Sequence, residues 1–393
     1  MLFIKDLDTK GKKIFLRVDF NVPLDDEGNI QDETRIRAAL QTLNYLLEQE
    51  ASVIVASHLG RPKGQFNPKL SMRPVAKRLS ELISRNVILA PGVVGEEVER
   101  LKSQLYKGQV LLLENLRFHA EETENDPDFA QELARGIDYY VNDAFGASHR
   151  IHASVVAITR FVEKAAAGFL VKREVEYLNK AIHSPQKPYV AILGGAKVAD
   201  KIPVIENLIK KADDILVGGA MAYTFLLAKG YGVGRSVVEK DKKELALELL
   251  EKAKKNKVNF HLPSDHIVAR SPGKDEEAKE LASLSIPEDL MACDIGPMTI
   301  KNFSSIIAKA KTIFWNGPMG IFEVDQFSKG TVAIAKAVAD SNAISIVGGG
   351  DSVLAVSKAG VTEKISHIST GGGASLEYIA NETLPGLEAL SEN

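Results

Sequence analysis

The stretch YVAILGGAKVADKIPVIENLIKK, residues 189–211, decides the fold class. It opens with an unbroken apolar run, the pattern of a strand covered on both faces. Gly194 and Gly195 follow, and then Val204, Ile205, Leu208 and Ile209 recur at helical spacing. Strand, glycine turn and helix in that order form the repeating unit of a parallel sheet covered by helices. The same unit recurs outward along the chain. Further strands are expected at 14–19, 53–57, 110–113, 139–141, 215–217, 312–315, 344–347 and 365–369. Helices are expected at 38–49, 71–84, 201–211, 220–229, 242–256, 303–310, 331–340 and 352–359. No short hairpin signal interrupts them, and no fixed-period repeat appears.

The chain has 393 residues, too many for one core. The fold class is therefore α/β, with two doubly wound parallel-sheet (Rossmann-like) domains of similar size joined by a helix. That helix is expected at 172–184, where Val171, Val175, Leu178 and Ile182 form an apolar stripe and Pro185 and Pro188 stop it. The first domain is then 1–171, and the second begins at 185.

Composition narrows the function. Hydrophobic residues make up 45% of the chain and charged residues 26%, ordinary for a globular protein. A net charge of −3 offers no basic field for nucleic acid. No apolar run reaches the length of a spanning helix, so no membrane is expected. MLFIKDLDTKGKK lacks an export signal's apolar core. The single Cys293 cannot form an internal disulfide and suits a reducing cytoplasm. It has no histidine beside it in sequence and reads as a small buried apolar residue.

Arginine is distributed unevenly. The chain has 15, and 13 of them lie at or before Arg173, with only Arg235 and Arg270 after it. Arginine's planar fork binds phosphate and carboxylate bidentately, which lysine cannot reproduce.

Open parallel sheets bind ligands outside the carboxyl ends of their strands. In the first half those ends carry Asp19 and Asn21, His58 and Arg61, Asn115, Arg117 and His119, then Asn142 with His149 and Arg150 beyond. Arg35 precedes the first long helix. Singly, each suits a cap or a surface group; together they read as a cradle for a small anion bearing phosphate and carboxylate.

In the second half the strand ends are glycine-rich. They carry Gly194, Gly195 and Ala196 before Lys197 and Lys201; Gly218 and Gly219; Asn316, Gly317 and Pro318; Gly348, Gly349 and Gly350 before Asp351 and Ser352; and Gly371, Gly372 and Gly373. Bare backbone at a helix start can cradle phosphate. Asp351 beside it suits Mg²⁺. Lys197 and Lys201, four apart, are expected on one helical turn, facing one site. P-loop, GxGxxG, GxSxG and metal-histidine patterns are all absent. An anion cradle in one half and a Mg-nucleotide site in the other point to phosphoryl transfer between them.

RVDFNVP (17–23), SHLGRP (57–62), NLRFH (115–119), DAFGASHR (143–150), GGAKVADK (194–201), WNGPMGIFE (315–323), GGGDS (348–352) and STGGGAS (369–375) together closely resemble the phosphoglycerate kinase family, in order over nearly the whole chain. The resemblance implies a monomeric, cytoplasmic, glycolytic enzyme. It would move a phosphoryl group reversibly between 1,3-bisphosphoglycerate and MgADP, giving 3-phosphoglycerate and MgATP. Asp19, Asn21, Arg35, His58, Arg61, Arg117 and Arg150 would hold the glycerate substrate. Gly195, Ala196, Lys197, Lys201, Gly218, Gly219, Asn316, Pro318, Glu323, Gly349, Gly350, Asp351 and Ser352 would hold the nucleotide, with Glu323 on the ribose and Asp351 on Mg²⁺. Arg35, Lys197, Lys201, Gly349 and Gly372 would serve the transferring group. Residues 375–393 would pack back on the first domain. The adenine pocket is poorly marked; 292–297 matches a family segment only in part. Two other readings stand beside this one. A kinase for a simpler carboxylate such as acetate would leave several arginines without a purpose, and a nucleotide-binding regulatory protein would not need Arg35, Lys201 and Asp351 together.

Overall fold

The computed structural model describes Met1–Glu392. The chain divides into two compact units. The first comprises Met1–Val175 together with the terminal segment from Thr383, and the second is Glu176–Glu382.

In the first unit, β1 (Leu2–Phe3), β2 (Lys13–Val18), β3 (Ser52–Ala56), β4 (Val87–Leu89), β5 (Val110–Leu112), β6 (Tyr139–Asp143) and β7 (Lys164–Ala167) form one sheet. Its order is β1-β7-β6-β2-β3-β5-β4 and every pairing is parallel. The chain leaves β2 toward β3 on one side and returns beside it as β6 on the other. The carboxyl end of β2 is thus the switch point, where an open sheet leaves a crevice. β2, β3 and β6 are buried almost throughout, which explains their unbroken apolar character.

In the second unit, β8 (Tyr189–Leu193), β9 (Asp214–Val217), β10 (Asn259–His261), β14 (Thr312–Asn316), β15 (Ile344–Gly348) and β16 (His367–Ile368) form a sheet in the order β10-β9-β8-β14-β15-β16, again wholly parallel. Here β8 lies at the switch point, between β9 and β14. Both main sheets are the parallel α/β sheets that the sequence indicates. A third sheet was not anticipated: β11 (His266–Ala269), β12 (Lys279–Leu281) and β13 (Met291–Ile295) pair antiparallel in the order β12-β11-β13. Their connections are too long for a two-residue hairpin, so no turn dipeptide announces them.

Two expected boundaries move. The helix placed at 172–184 runs Phe169–Ile182, and the division between units falls inside it, after Val175. Residues 375–382, expected with the first domain, belong to the second unit. They lie in the helix Gly372–Asn381, whose Ile379 carbonyl accepts a bond from Asn207 Nδ2 at 2.6 Å. Only the chain from Thr383 joins the first unit, where the Gly386 amide donates to the Ser148 carbonyl at 2.9 Å.

Candidate functional site

At the carboxyl end of the first sheet, the strand ends deliver their polar residues to one cluster. Asp19 follows β2 and accepts from Arg35 Nη1 at 2.9 Å. Asn21 Oδ1 accepts the Gly60 amide at 2.8 Å, and Arg117 Nη1 donates to the Gly60 carbonyl at 2.8 Å. The loop after β3 is therefore tied to the loops after β2 and β5. Arg117 is buried, and its Nε and Nη2 have no hydrogen-bond partner among the described residues. Burial, then the charges of Arg150 and Arg17, push its guanidinium down to about 10. Such a group is short of an anion. Arg150 is half-buried, with Nε facing His149 Nε2 at 3.3 Å. His58 is buried, and burial followed by the charges of Arg17, Arg117 and Arg150 holds its imidazole well below the ordinary histidine range.

Beneath this cluster lies a charged layer missing from the sequence expectations. Arg17, inside β2, is fully buried, and its Nε donates to Ser154 Oγ at 2.8 Å. Ser154 Oγ in turn donates to Glu122 Oε1 at 2.6 Å, and Glu122 is fully buried as well. One signal could have found it: an arginine within an apolar, doubly covered strand must be buried, and a buried arginine needs a carboxylate.

In the second unit the glycine-rich strand ends converge. A Cβ on Gly219, whose φ is +65°, would stand 2.5 Å from the Gly195 nitrogen. Only glycine lets these two loops touch. Gly195, Ala196, Gly219, Pro318, Glu323 and Asp351 line a cavity of about 290 Å³. Its other walls include Tyr223, Val237, Ala292, Cys293 and Asp294. Ala292, Cys293 and Asp294 belong to the antiparallel sheet, which no turn signal in the sequence marks. Burial pushes the Cys293 thiol up to about 11, so it lines the cavity as an apolar group. Gly218 stands behind the wall, packed against Met319.

Next to the cavity, Lys201 Nζ bonds Asn316 Oδ1, Asn316 Nδ2 donates to the Gly348 carbonyl at 2.7 Å, and the Gly317 amide donates to Ser352 Oγ at 2.6 Å. Burial lowers Lys201 to about 8 against the opposing charges of Asp200 and Asp351. Gly349, at φ +96°, caps the helix Gly350–Lys358, and a Cβ on Gly372 would come within 2.8 Å of the Gly349 Cα. Asp351 is exposed in the first turn of that helix. Among the described residues no group of three or more histidine, cysteine, aspartate or glutamate side chains is arranged to hold a metal. A lone carboxylate beside a phosphate cradle fits Mg²⁺ arriving on a nucleotide, because Mg²⁺ needs only one or two protein carboxylates plus phosphate oxygens.

One expectation fails on local geometry. Residues 199–201 form a 3₁₀ turn and the α-helix begins at Ile202, so Lys197 and Lys201 do not share an α-helical turn. Lys201 is buried, whereas Lys197 is exposed. Among the described residues, no hydrogen bond or ion pair ties Lys197 or the exposed Arg61 to these clusters.

A family model described as phosphoglycerate kinase matches residues 4–382. Phosphoglycerate kinase of Anaeromyxobacter dehalogenans (strain 2CP-C) is 56% identical over 391 residues, 99% of each chain. That of Koribacter versatilis is 55% identical over 398 residues, again 99% of each. Among solved structures, phosphoglycerate kinase from Coxiella burnetii superposes with a TM-score of 0.91 at 39% identity, covering 100% of this chain and 99% of the other. The Pyrococcus horikoshii OT3 enzyme gives 0.86 at 37%, covering 100% and 98%.

Proposed function

The chain belongs to the phosphoglycerate kinase family, and we propose from this how its two clusters divide the work of reversible phosphoryl transfer between 1,3-bisphosphoglycerate and ADP. The arginine cluster takes 3-phosphoglycerate or 1,3-bisphosphoglycerate, and the glycine-rich cluster takes MgADP or MgATP. The observation that carries this assignment is Arg117, buried with two guanidinium nitrogens lacking a hydrogen-bond partner among the described residues. Buried donors of that kind are completed by an anionic ligand.

No general base is required. In the ATP-consuming direction the nucleophile is a carboxylate, already ionised at pH 7. Its oxygen forms a bond to the γ-phosphorus while the bond to the β,γ-bridging oxygen breaks, leaving ADP and the acyl phosphate. The protein's task is to align the reactants and to stabilise charge on the transferring phosphoryl. Arg35, held at Asp19, supplies a cation from the first unit. Lys201, aimed by Asn316, and the amides at Gly349 and Gly372 supply donors from the second. Mg²⁺, held by Asp351 and the nucleotide phosphates, would neutralise phosphate charge. Lys197 and Arg61 complete the sites as exposed cations that engage when ligand arrives.

Because the two ligands belong to different units, transfer is in-line and follows domain closure, with the helix Phe169–Ile182 and the crossing at Glu382–Thr383 as hinges. Closure also keeps water from the acyl phosphate. The protein works as a monomer in the cytoplasm, where its single cysteine, buried, stays reduced. No helix among the described residues is long and apolar enough to cross a membrane. An assay coupling 1,3-bisphosphoglycerate formation from 3-phosphoglycerate and MgATP to a dehydrogenase tests the reading. Turnover is expected with 3-phosphoglycerate and not with acetate. Acetate phosphorylation without 3-phosphoglycerate phosphorylation would overturn it.

A further inference from the structure

The buried charge layer beneath the arginine cluster has a consequence for His58. Arg17 Nη2 faces His58 Nδ1 at 3.3 Å. A guanidinium carries only donors, so Nδ1 must accept. A neutral imidazole that accepts at Nδ1 has its proton on Nε2. An imidazolium would instead turn an N–H toward the N–H of Arg17. The ionisable groups around His58 are Arg17 in β2, Arg117 after β5, and Arg150 and His152 after β6, and the positive charge of the three arginines disfavours a further cation. With Nδ1 engaged by Arg17, Nε2 is the ring nitrogen left for a ligand.

Arg17 is itself held in place from below. Ser154 Oγ accepts from Arg17 Nε at 2.8 Å and donates to Glu122 Oε1 at 2.6 Å, while the Ser154 amide donates to Glu122 Oε2 at 2.9 Å. Glu122 Oε1 lies 4.0 Å from Arg17 Nη2 and 3.6 Å from His152 Nδ1. Burial alone would raise this carboxyl's titration. His152, Arg17 and Ser154 outweigh the burial and keep its titration below the ordinary glutamate range. The carboxylate therefore stays ionised and balances the buried guanidinium.

We propose that Glu122, through Ser154 and Arg17, fixes His58 as the neutral tautomer with its proton on Nε2, making His58 a directional hydrogen-bond donor to an anionic oxygen of the glycerate substrate and not a further cation of the arginine cluster. Glu122 is then a positioning residue three side chains removed from the ligand. This rests on the reading of His58 as a substrate contact, and its test separates the two.

The test uses the full chain labelled with ¹⁵N at histidine, with the His58 signal identified by its loss in His58→Gln. From pH 7 to pH 6, free and with 3-phosphoglycerate, Nε2 should keep a pyrrole-like shift and Nδ1 a pyridine-like one. An imidazolium pattern at pH 7, or a proton on Nδ1, would overturn the proposal. Ser154→Ala removes the hydroxyl bridge without leaving a buried charge unpaired, and Glu122→Gln removes the carboxylate charge. Either should convert His58 to a mixture of tautomers and raise the Kd for 3-phosphoglycerate roughly tenfold, with the Kd for MgADP unchanged. A folded Ser154→Ala protein with the wild-type His58 signal would remove Glu122 from the role. His58→Gln, which keeps an N–H near the Nε2 position, should bind 3-phosphoglycerate more tightly than His58→Ala. Unchanged binding in His58→Ala would overturn the substrate contact, whatever the tautomer signal shows.

Discussion

Lys201→Met should separate what Lys201 costs the fold from what it does for the reaction. Burial lowers the native ammonium to about 8 from an ordinary 10.5. Below pH 8 both the folded and unfolded chains hold the proton, and the native state bears the full cost of the buried charge, about 3 kcal/mol at 1.36 kcal/mol per pKa unit. Between pH 8 and 10.5 the unfolded chain binds more protons than the native one. Stability from this group therefore rises with pH across that window and falls as pH drops back through 8. Raising the pH from 7 to 9.5 should relieve about 2 kcal/mol in the wild type and nothing in Lys201→Met. The variant also leaves Asn316 Oδ1 without its Lys201 partner, a loss of about 1–3 kcal/mol. That term is the same at both pH values and cancels in the difference. Trp315 provides the probe: it is the only tryptophan, fully buried, and adjacent to Asn316. Urea unfolding followed by its fluorescence should show the variant's stability relative to wild type worsening by about 2 kcal/mol from pH 7 to pH 9.5. Phosphoryl transfer should be largely abolished at both. A relative stability independent of pH would refute the buried-ammonium argument.

Arg35→Ala should lose about 10³–10⁵ in turnover, with stability changed by no more than about 1 kcal/mol, because its pair with Asp19 is partly exposed; a tenth of wild-type turnover would remove it from the mechanism. Asp351→Asn should weaken calorimetric binding of MgADP but not of metal-free ADP or 3-phosphoglycerate, and an equal loss without Mg²⁺ would deny it the metal. Arg150→Lys keeps the charge and loses the fork, so 3-phosphoglycerate affinity should fall roughly tenfold, and wild-type affinity would reduce the site to simple attraction. In X-ray scattering the radius of gyration should shrink most with both ligands bound, and a constant radius would end the closure model.

The parts of the fold legible in the sequence were those buried on both faces. At 189–193 the expected and observed strands coincide, because a doubly covered parallel strand must be apolar throughout. Short or edge elements carry no such mark. β7 is Lys-Ala-Ala-Ala, a poor strand former that is a strand only because β1 and β6 hold it from either side. The antiparallel sheet was invisible for want of tight turns, and the wall of the cavity around Ala292 was lost with it. At the sites, reading the ends of strands located Asp19, Arg117, Asn316 and Asp351 because topology alone brings those ends together. It could not locate Arg17, inside β2, or Glu122, buried on the short helix Ala120–Glu124. It also misjudged the shared turn of Lys197 and Lys201, because a spacing of four carries meaning only within an α-helix, and the helix starts at Ile202, after both.

The skew of arginine toward the first unit follows from the different anions the two units are proposed to meet. A glycerate bearing phosphate and carboxylate brings no metal, so the protein must supply its countercharge from side chains. Crowding arginines has a visible effect on Arg117. Arg117 is pushed down to about 10 by burial and by Arg150 and Arg17, and two of its nitrogens go unpaired. An anion bound there would offset the repulsion and complete the hydrogen bonds at once. Nucleotide phosphates arrive with Mg²⁺ and part of their charge already neutralised. On the proposed reading, the Lys201 ammonium, the Asp351 carboxylate and the glycine-capped helix start at Gly349 then suffice. The layer of Glu122, Ser154 and Arg17 belongs to the first solution only: where cations crowd, one buried carboxylate is what keeps them aimed.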